Sequence, residues 1–240
     1  MRALLMSILL LHSMFLPLAR ADDEDPRYSS VRASPDGIGK VYMGREIAQV
    51  MGYRGAEWLE RPGRANEERP DLVLAALDLK PRMTIADLGA GTGYFSWRMA
   101  ERVGAGGRVY AVDVQPEMVE MLKLEMSKRR ASNVTALLAT PSEPRLPAGA
   151  LDLVLMVDVY HELEFPYEVL AAVVLALKPG GRLAFVEYRA NDPGVPIKPL
   201  HTMTEAQVRK EATVHALEWV KTERGLPWQH AIVFRKAAGN

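Results

Sequence analysis

The residues of this chain best suited to chemistry fall in two short segments. The first reads Asp87-Leu88-Gly89-Ala90-Gly91-Thr92-Gly93-Tyr94-Phe95-Ser96. It follows an apolar, β-branched run and opens a stretch of helical periodicity. Glycines at alternate positions let the backbone turn tightly and come close to a ligand. Amides at the start of the helix then face that ligand. Asp113 ends the next apolar run, 20 residues beyond Gly93. A carboxylate there can accept hydrogen bonds from both hydroxyls of a ribose, so loop and aspartate together point to a nucleoside. A dinucleotide would call for G-x-G-x-x-G, and position 94 holds tyrosine where the last glycine is needed. Asp87, ahead of the loop, would repel a pyrophosphate and suit an ammonium group.

The second segment, Asp158-Val159-Tyr160-His161-Glu162-Leu163, follows the apolar run Leu151–Val157. At the carboxyl end of a strand in an open parallel sheet it would face the ligand crevice. His161 titrates near neutrality and is the candidate general base. Tyr160 is a candidate for lining the pocket, and Asp158 or Glu162 for orienting His161 or binding a cationic substrate. Glu187, Tyr188 and Arg189 are secondary candidates at the end of a later strand. His201 follows a proline-bounded loop, 192–200, placed to cover the site, while His215 and His230 read as structural. The chain has no cysteine, which excludes disulfides, thiolate metal sites and a cysteine nucleophile. No H-x-x-x-H pair or carboxylate cluster of metal-ligand spacing occurs, so no metal is expected.

These segments need a scaffold, and the apolar pattern supplies one. Short β-branched runs (83–88, 108–112, 134–138, 151–157, 182–187) alternate with helical stretches (94–103, 116–130, 166–177). That alternation predicts an α/β fold with a parallel sheet covered on both faces. Lys178-Pro179-Gly180-Gly181 marks the turn into the fifth strand. Residues 44–51 and 67–79 are expected to form helices ahead of the sheet. Residues 204–217 are expected to form a helix opened by a Thr204/Gln207 capping box. Residues 217–222 and 229–235 should close the chain as a hairpin.

In order along the chain, Asp87-Leu-Gly-Ala-Gly-Thr-Gly93, Val109-Tyr-Ala-Val-Asp113, Leu151-Asp-Leu-Val-Leu-Met156 and Leu177-Lys-Pro-Gly-Gly-Arg-Leu183 resemble the motifs of class I S-adenosylmethionine (SAM)-dependent methyltransferases of the type 11/25 kind. The resemblance covers roughly residues 40–236. It implies a Rossmann-like, seven-stranded, mostly parallel sheet with an antiparallel last strand and helices on both faces. It also implies SAM as cofactor, held by Asp87, Gly89, Ala90, Gly91, Gly93, Tyr94, Asp113, Val114 and Asp158. Many members place an acidic residue after the third strand, near the adenine. This chain has Ala139-Thr140-Pro141-Ser142 there, which leaves a backbone carbonyl or Ser142 for that contact. The implied activity is methyl transfer to an unidentified, small acceptor, with His161, Asp158 and Tyr160 as catalytic candidates; the alternative is a non-catalytic SAM- or nucleoside-binding protein, since these motifs report cofactor binding rather than turnover. N-terminal helices would lid the cofactor, with Tyr42, Arg45 and Trp58 as contributors.

The 240 residues carry 30 basic and 30 acidic side chains, a balance that gives no reason to expect a nucleic-acid partner. Residues 1–21 combine Arg2, an apolar stretch, Pro17 and Ala19-Arg20-Ala21, the pattern of an export signal cut after Ala21. The run is short for a membrane span and interrupted by His12. An exported, periplasmic or secreted protein is therefore expected, or a membrane-anchored one where the segment is not cut, with a polar leader over 22–40, a helical cap over 41–80 and the cofactor domain over 81–240. N-terminal sequencing of the protein recovered from its host should begin at Asp22. A mature chain that still begins at Met1 would contradict the export reading.

Overall fold

Two antiparallel turns of chain precede the parallel part. The computed structural model describes residues 25–238. A small sheet comes first: β1 (Tyr28–Ser30), β2 (Gly37–Tyr42) and β3 (Arg45–Ala48). Three short helices follow, α1 (Ala56–Leu59), α2 (Arg64–Glu68) and α3 (Pro70–Ala76). Then strands and helices alternate: β4 (Thr84–Leu88), α4 (Ser96–Val103), β5 (Arg108–Asp113), α5 (Pro116–Lys128), β6 (Val134–Leu138), β7 (Leu151–Val157), α6 (Pro166–Ala176) and β8 (Leu177–Tyr188). The chain ends with α7 (Glu205–Ala212), β9 (Leu217–Glu223) and β10 (Gln229–Lys236). Among the described residues, no helix is long and apolar enough to cross a membrane. The export segment expected over 1–21 lies outside them.

The large sheet has seven strands in the order β6-β5-β4-β7-β8-β10-β9. Strands β4 to β8 pair in parallel, and β10 runs antiparallel between β8 and β9. This is the expected seven-stranded architecture with its antiparallel last strand. The order reverses between β4 and β7, which opens a crevice at their carboxyl ends. Strand β7 is apolar on both faces because both are covered. Val154 and Met156 pack with Leu170 and Val173 of α6 and Val208 of α7. Leu153 and Leu155 pack with Val73 and Leu74 of α3 and Met99 of α4. An unbroken apolar run is what such a strand requires.

The structure corrects three expectations. Residues 44–51 are not a helix: Met43 (φ 49°) and Gly44 (φ 92°) turn the chain back, with Tyr42 opposite Arg45. Two left-handed residues between paired strands make the tight turn whose twist suits a hairpin. The polar leader expected over 22–40 accordingly contains β1 and most of β2. Glu46 on β3 holds the intervening loop, accepting hydrogen bonds from the amides of Ser34 (3.0 Å) and Gly39 (3.1 Å). The helix expected over 67–79 is broken where Arg69 adopts φ 49° and Pro70 starts α3. Finally, α7 stops at Ala212, and only half of the capping box forms. The Thr204 hydroxyl accepts from the Gln207 amide (3.1 Å), but the Gln207 side chain turns to Glu211 (2.7 Å).

The small sheet is tied to the main body through charge. Arg45 makes two 2.9 Å contacts with the carboxylate of Glu211 on α7, which is wholly buried, and a third bond to the backbone oxygen of His161 (3.0 Å). Removing one partner of such a buried pair leaves the other charge uncompensated, which makes this anchor costly to lose.

Candidate active site

The glycine loop is shaped by what surrounds it. Gly89, Gly91 and Gly93 have φ of 75°, 54° and 90°. A Cβ would stand 2.3 Å from Val159 at Gly89, 2.5 Å from Leu59 at Gly91 and 2.4 Å from Leu122 at Gly93. Only glycine satisfies both conditions. The amides of Gly89 (2.8 Å) and Ala90 (2.9 Å) bond the carbonyl of Val112 and stitch the loop to β5. The Asp113 carboxylate completes the stitch: Oδ2 accepts from the amide of Gly91 and Oδ1 from that of Gln115, each at 2.9 Å.

Beside this loop lies a cavity of about 490 Å³ at the carboxyl ends of β4, β5, β7 and β8. Of the residues singled out in the sequence, Gly89, Gly91, Asp113, Val114, Asp158 and His161 line it, and so do Trp58, Glu162, Tyr188 and His201. Asp87, Ala90, Gly93, Tyr94, Ser142 and Tyr160 do not. Asp87 sits behind the loop, where its carboxylate accepts from the Ser96 hydroxyl (2.6 Å). Ala90 and Gly93 shape the loop from its far side. Tyr94 is buried between the guanidinium groups of Arg64 (4.1 Å from the ring centroid) and Arg98 (3.8 Å). Tyr160 points into the core against Phe185, their rings 4.7 Å apart. Ser142, half-buried, does not line the cavity: Thr140 closes a tight turn with Glu143, and Ala139, Thr140 and Pro141 form the wall there.

The N-terminal helices close one side of the cavity, as expected of a lid, though through unexpected residues. Trp58, Leu59, Arg64 and Glu68 line it, whereas Tyr42 is buried in the core and Arg45 is spent on Glu211. Glu68 is held by Arg64 (2.8 Å), Arg61 (2.6 Å) and the Tyr188 hydroxyl (2.8 Å). The spacing of Arg64 and Glu68, four apart on one helix, is the sequence signal for this pair. Arg189 serves structure: it bonds the carbonyls of Leu226, Pro227 and Gln229.

Burial sets the electrostatics. It pushes the Asp87 carboxyl up to about 6, with Ser96 and Arg64 opposing and Asp113 assisting. It also raises Asp113, against the pull of three backbone amides. Asp158 is raised well above the ordinary range by burial and by the charges of Glu68 and Glu187. Its Oδ2 accepts from Gln229 (2.6 Å), but Oδ1 is buried without a partner. Asp158 also holds a left-handed conformation (φ 52°), which aspartate tolerates better than most residues.

Further along the cavity, His161, Glu162 and His201 meet. His161 Nδ1 lies 2.6 Å from Glu187 Oε2, and its Nε2 lies 3.2 Å from His201 Nδ1. Glu162 Oε1 is 3.3 Å from His201 Nδ1. Burial opposes protonation of His161, but Glu187 and Glu162 outweigh it and hold the imidazole up to about 10. In the ligand-free chain the imidazole therefore rests protonated, and it would act as a base only from its deprotonated form. Its orienting partner is Glu187 rather than Asp158 or Glu162. The long chain separation of His161, Glu187 and His201 hid this cluster from any local spacing.

Comparison with known proteins follows the same lines. A family model described as a methyltransferase domain matches residues 79–232. An uncharacterized methyltransferase of Mycobacterium tuberculosis is 37% identical over 102 residues, covering 42% of this chain and 38% of that protein. Nocamycin O-methyltransferase of Saccharothrix syringae is 31% identical over 114 residues, covering 46% and 40%. The chain thus spans about two-fifths of the length of these curated relatives. A crystal structure of a SAM-dependent methyltransferase from Aquifex aeolicus superposes with a TM-score of 0.75 at 24% identity, covering 78% of this chain and all of that one, a likeness of fold.

The raised Asp87 value has a stability consequence. The ligand-free folded state binds this proton more tightly than the unfolded chain does. Stability from this group is therefore full below about pH 4 and falls as pH rises towards about 6. In Asp87→Asn this slope should vanish, a relative gain of about 2 kcal/mol between pH 4 and 6.5. Denaturant melts across that range check it. Parallel pH profiles for the two proteins would contradict it.

Proposed function

Because the chain belongs to the methyltransferase-domain family, we propose that it transfers a methyl group from SAM to a small acceptor molecule. The observation that carries this reading is the cradle at Gly89, Gly91 and Asp113. There the backbone comes to the cavity where no Cβ fits, beside a carboxylate with lone pairs to spare. Each Asp113 oxygen is engaged by one amide and keeps a second acceptor site, which suits a ribose diol. The unpartnered Oδ1 of Asp158 suits the ammonium of an amino-acid tail. Trp58 and Leu59 on one wall, with Ala139 and Pro141 on another, offer apolar surface for a base. When bound, SAM supplies a methyl group on a positively charged sulfur, a leaving group already activated.

The protein then has two tasks, to align the acceptor and to exclude water. Pro196 and Ile197 of the 192–200 loop, with Val159 and Leu163, line the far part of the cavity with apolar surface. The His161–Glu162–His201 cluster is the polar feature of that part and holds the acceptor's reacting group. An oxygen acceptor on a small molecule is supported by the likeness to nocamycin O-methyltransferase of Saccharothrix syringae.

Calorimetry with S-adenosylhomocysteine, the demethylated product, tests the reading. The wild-type chain should bind it, and Asp113→Asn, which loses the charge-assisted bonds to the ribose, should bind at least about 10-fold more weakly. A wild-type chain that gives no heat, or a variant of undiminished affinity, would overturn it. Transfer of labelled methyl from SAM to small hydroxyl compounds would then identify the acceptor.

A further inference from the structure

We infer that His161 Nε2, His201 Nδ1 and Glu162 Oε1 form a binding site for a divalent transition metal of the zinc type, with its remaining position open to the cavity. Among the described residues these three side chains offer ligand atoms that all lie within 4.8 Å of one another. The three edges of the triangle measure 3.2 Å (His161 to His201), 3.3 Å (His201 to Glu162) and 3.7 Å (His161 to Glu162). Ligands at zinc's usual 2.0–2.1 Å in a tetrahedron stand about 3.3 Å apart. The atoms already stand near three corners of one. All three residues line the cavity, so the fourth corner faces the space assigned above to the acceptor.

Two of the three ligands are held from behind. Glu187 is wholly buried and takes His161 Nδ1 at 2.6 Å, with its other oxygen accepting the Tyr160 amide at 2.9 Å. A proton fixed on Nδ1 turns the Nε2 lone pair towards the cluster, the arrangement in which a carboxylate orients a metal-bound histidine. Glu162 Oε2 accepts from the amide of Met51 (3.2 Å), which leaves Oε1 for the centre. Arg45 bonds the His161 carbonyl (3.0 Å) and its charge is matched by Glu211, so it does not serve the cluster's carboxylates.

Without a metal, the charges of the buried Glu162 and Glu187 are met by a proton on each nitrogen of His161. An ion bound at the centre takes the place of the proton on Nε2. A divalent ion meets all three lone pairs and both charges at once. It would also place positive charge where an acceptor oxygen arrives and make its proton easier to release. This last role rests on the methyl-transfer reading. The metal site itself does not.

The untagged full chain, stripped with a chelator, is titrated with Zn2+ against a chromophoric competitor. One equivalent should bind, with affinity at least about 100-fold lower in His201→Ala and in Glu162→Gln. Glu187→Gln, which removes only the support behind His161, should lose about 10–100-fold. Circular-dichroism melts confirm that each variant is folded, and Glu162→Gln, which keeps the Met51 contact, decides the matter if His201→Ala is not. Co2+ in place of zinc should give the strong visible bands of a four-coordinate ion. No stoichiometric zinc binding, binding indifferent to both ligand substitutions, or a pale six-coordinate cobalt spectrum would overturn the proposal. Binding of S-adenosylhomocysteine to the stripped wild-type chain reports separately on the nucleoside cradle, so the two readings fail independently.

Discussion

The grip of Asp113 on the amides of Gly91 and Gln115 is the interaction on which the site depends. It joins the loop after β4 to the end of β5, next to the crevice where the strand order turns. Both bonds are made from the protein's own backbone, so the carboxylate is aimed before any ligand arrives. The loop can lie this close only because Gly89 and Gly91 present no side chain to Val159 and Leu59. Those two neighbours come from distant parts of the chain, the segment after β7 and the N-terminal helix α1. The glycine pattern thus records a meeting of three distant pieces of chain.

Around that grip the sheet gathers negative charge out of water. Asp87, Asp113, Glu162 and Glu187 are all buried, and Asp158 is nearly so. Buried carboxylates need partners. Asp87 has Ser96, Asp113 has two amides, and Glu187 has His161 and a backbone amide. Asp158 retains an oxygen with no partner at all. A cavity whose walls are largely apolar but whose polar points are mostly anionic is built to receive positive charge. A sulfonium compound with an ammonium tail meets that demand at one end, and a metal ion meets it at the other.

How much of this could be read from residues follows from distance along the chain. The parallel strands and their order of motifs were legible because each βα unit is local, with turn residues and apolar periods that repeat. The cradle was legible for the same reason: Gly89, Gly91 and Asp113 belong to consecutive units. Gly44–Met51 misled because a hairpin turn of Met43 and Gly44 carries little of the usual turn signal, while short polar and apolar residues around it mimic a helical period. Tyr160 misled because adjacent residues in a tight turn point opposite ways, so His161 faces the cavity as Tyr160 enters the core. Glu187 was legible only as a secondary candidate, because its partner His161 follows another strand, and Arg64 and Glu68, though paired on one helix, reach the site only where Glu68 meets Tyr188 of β8. His201 was visible as a histidine near a loop, but nothing local tied it to His161.

The most direct measurement is a crystal structure of the chain soaked with S-adenosylhomocysteine. Density for the nucleoside should lie in the cavity, with both ribose hydroxyls on the Asp113 carboxylate, the amino-acid end towards Asp158 and the sulfur facing the part of the cavity that holds His161 and His201. A ribose that makes no contact with Asp113, or a nucleoside bound elsewhere on the protein, would contradict the account.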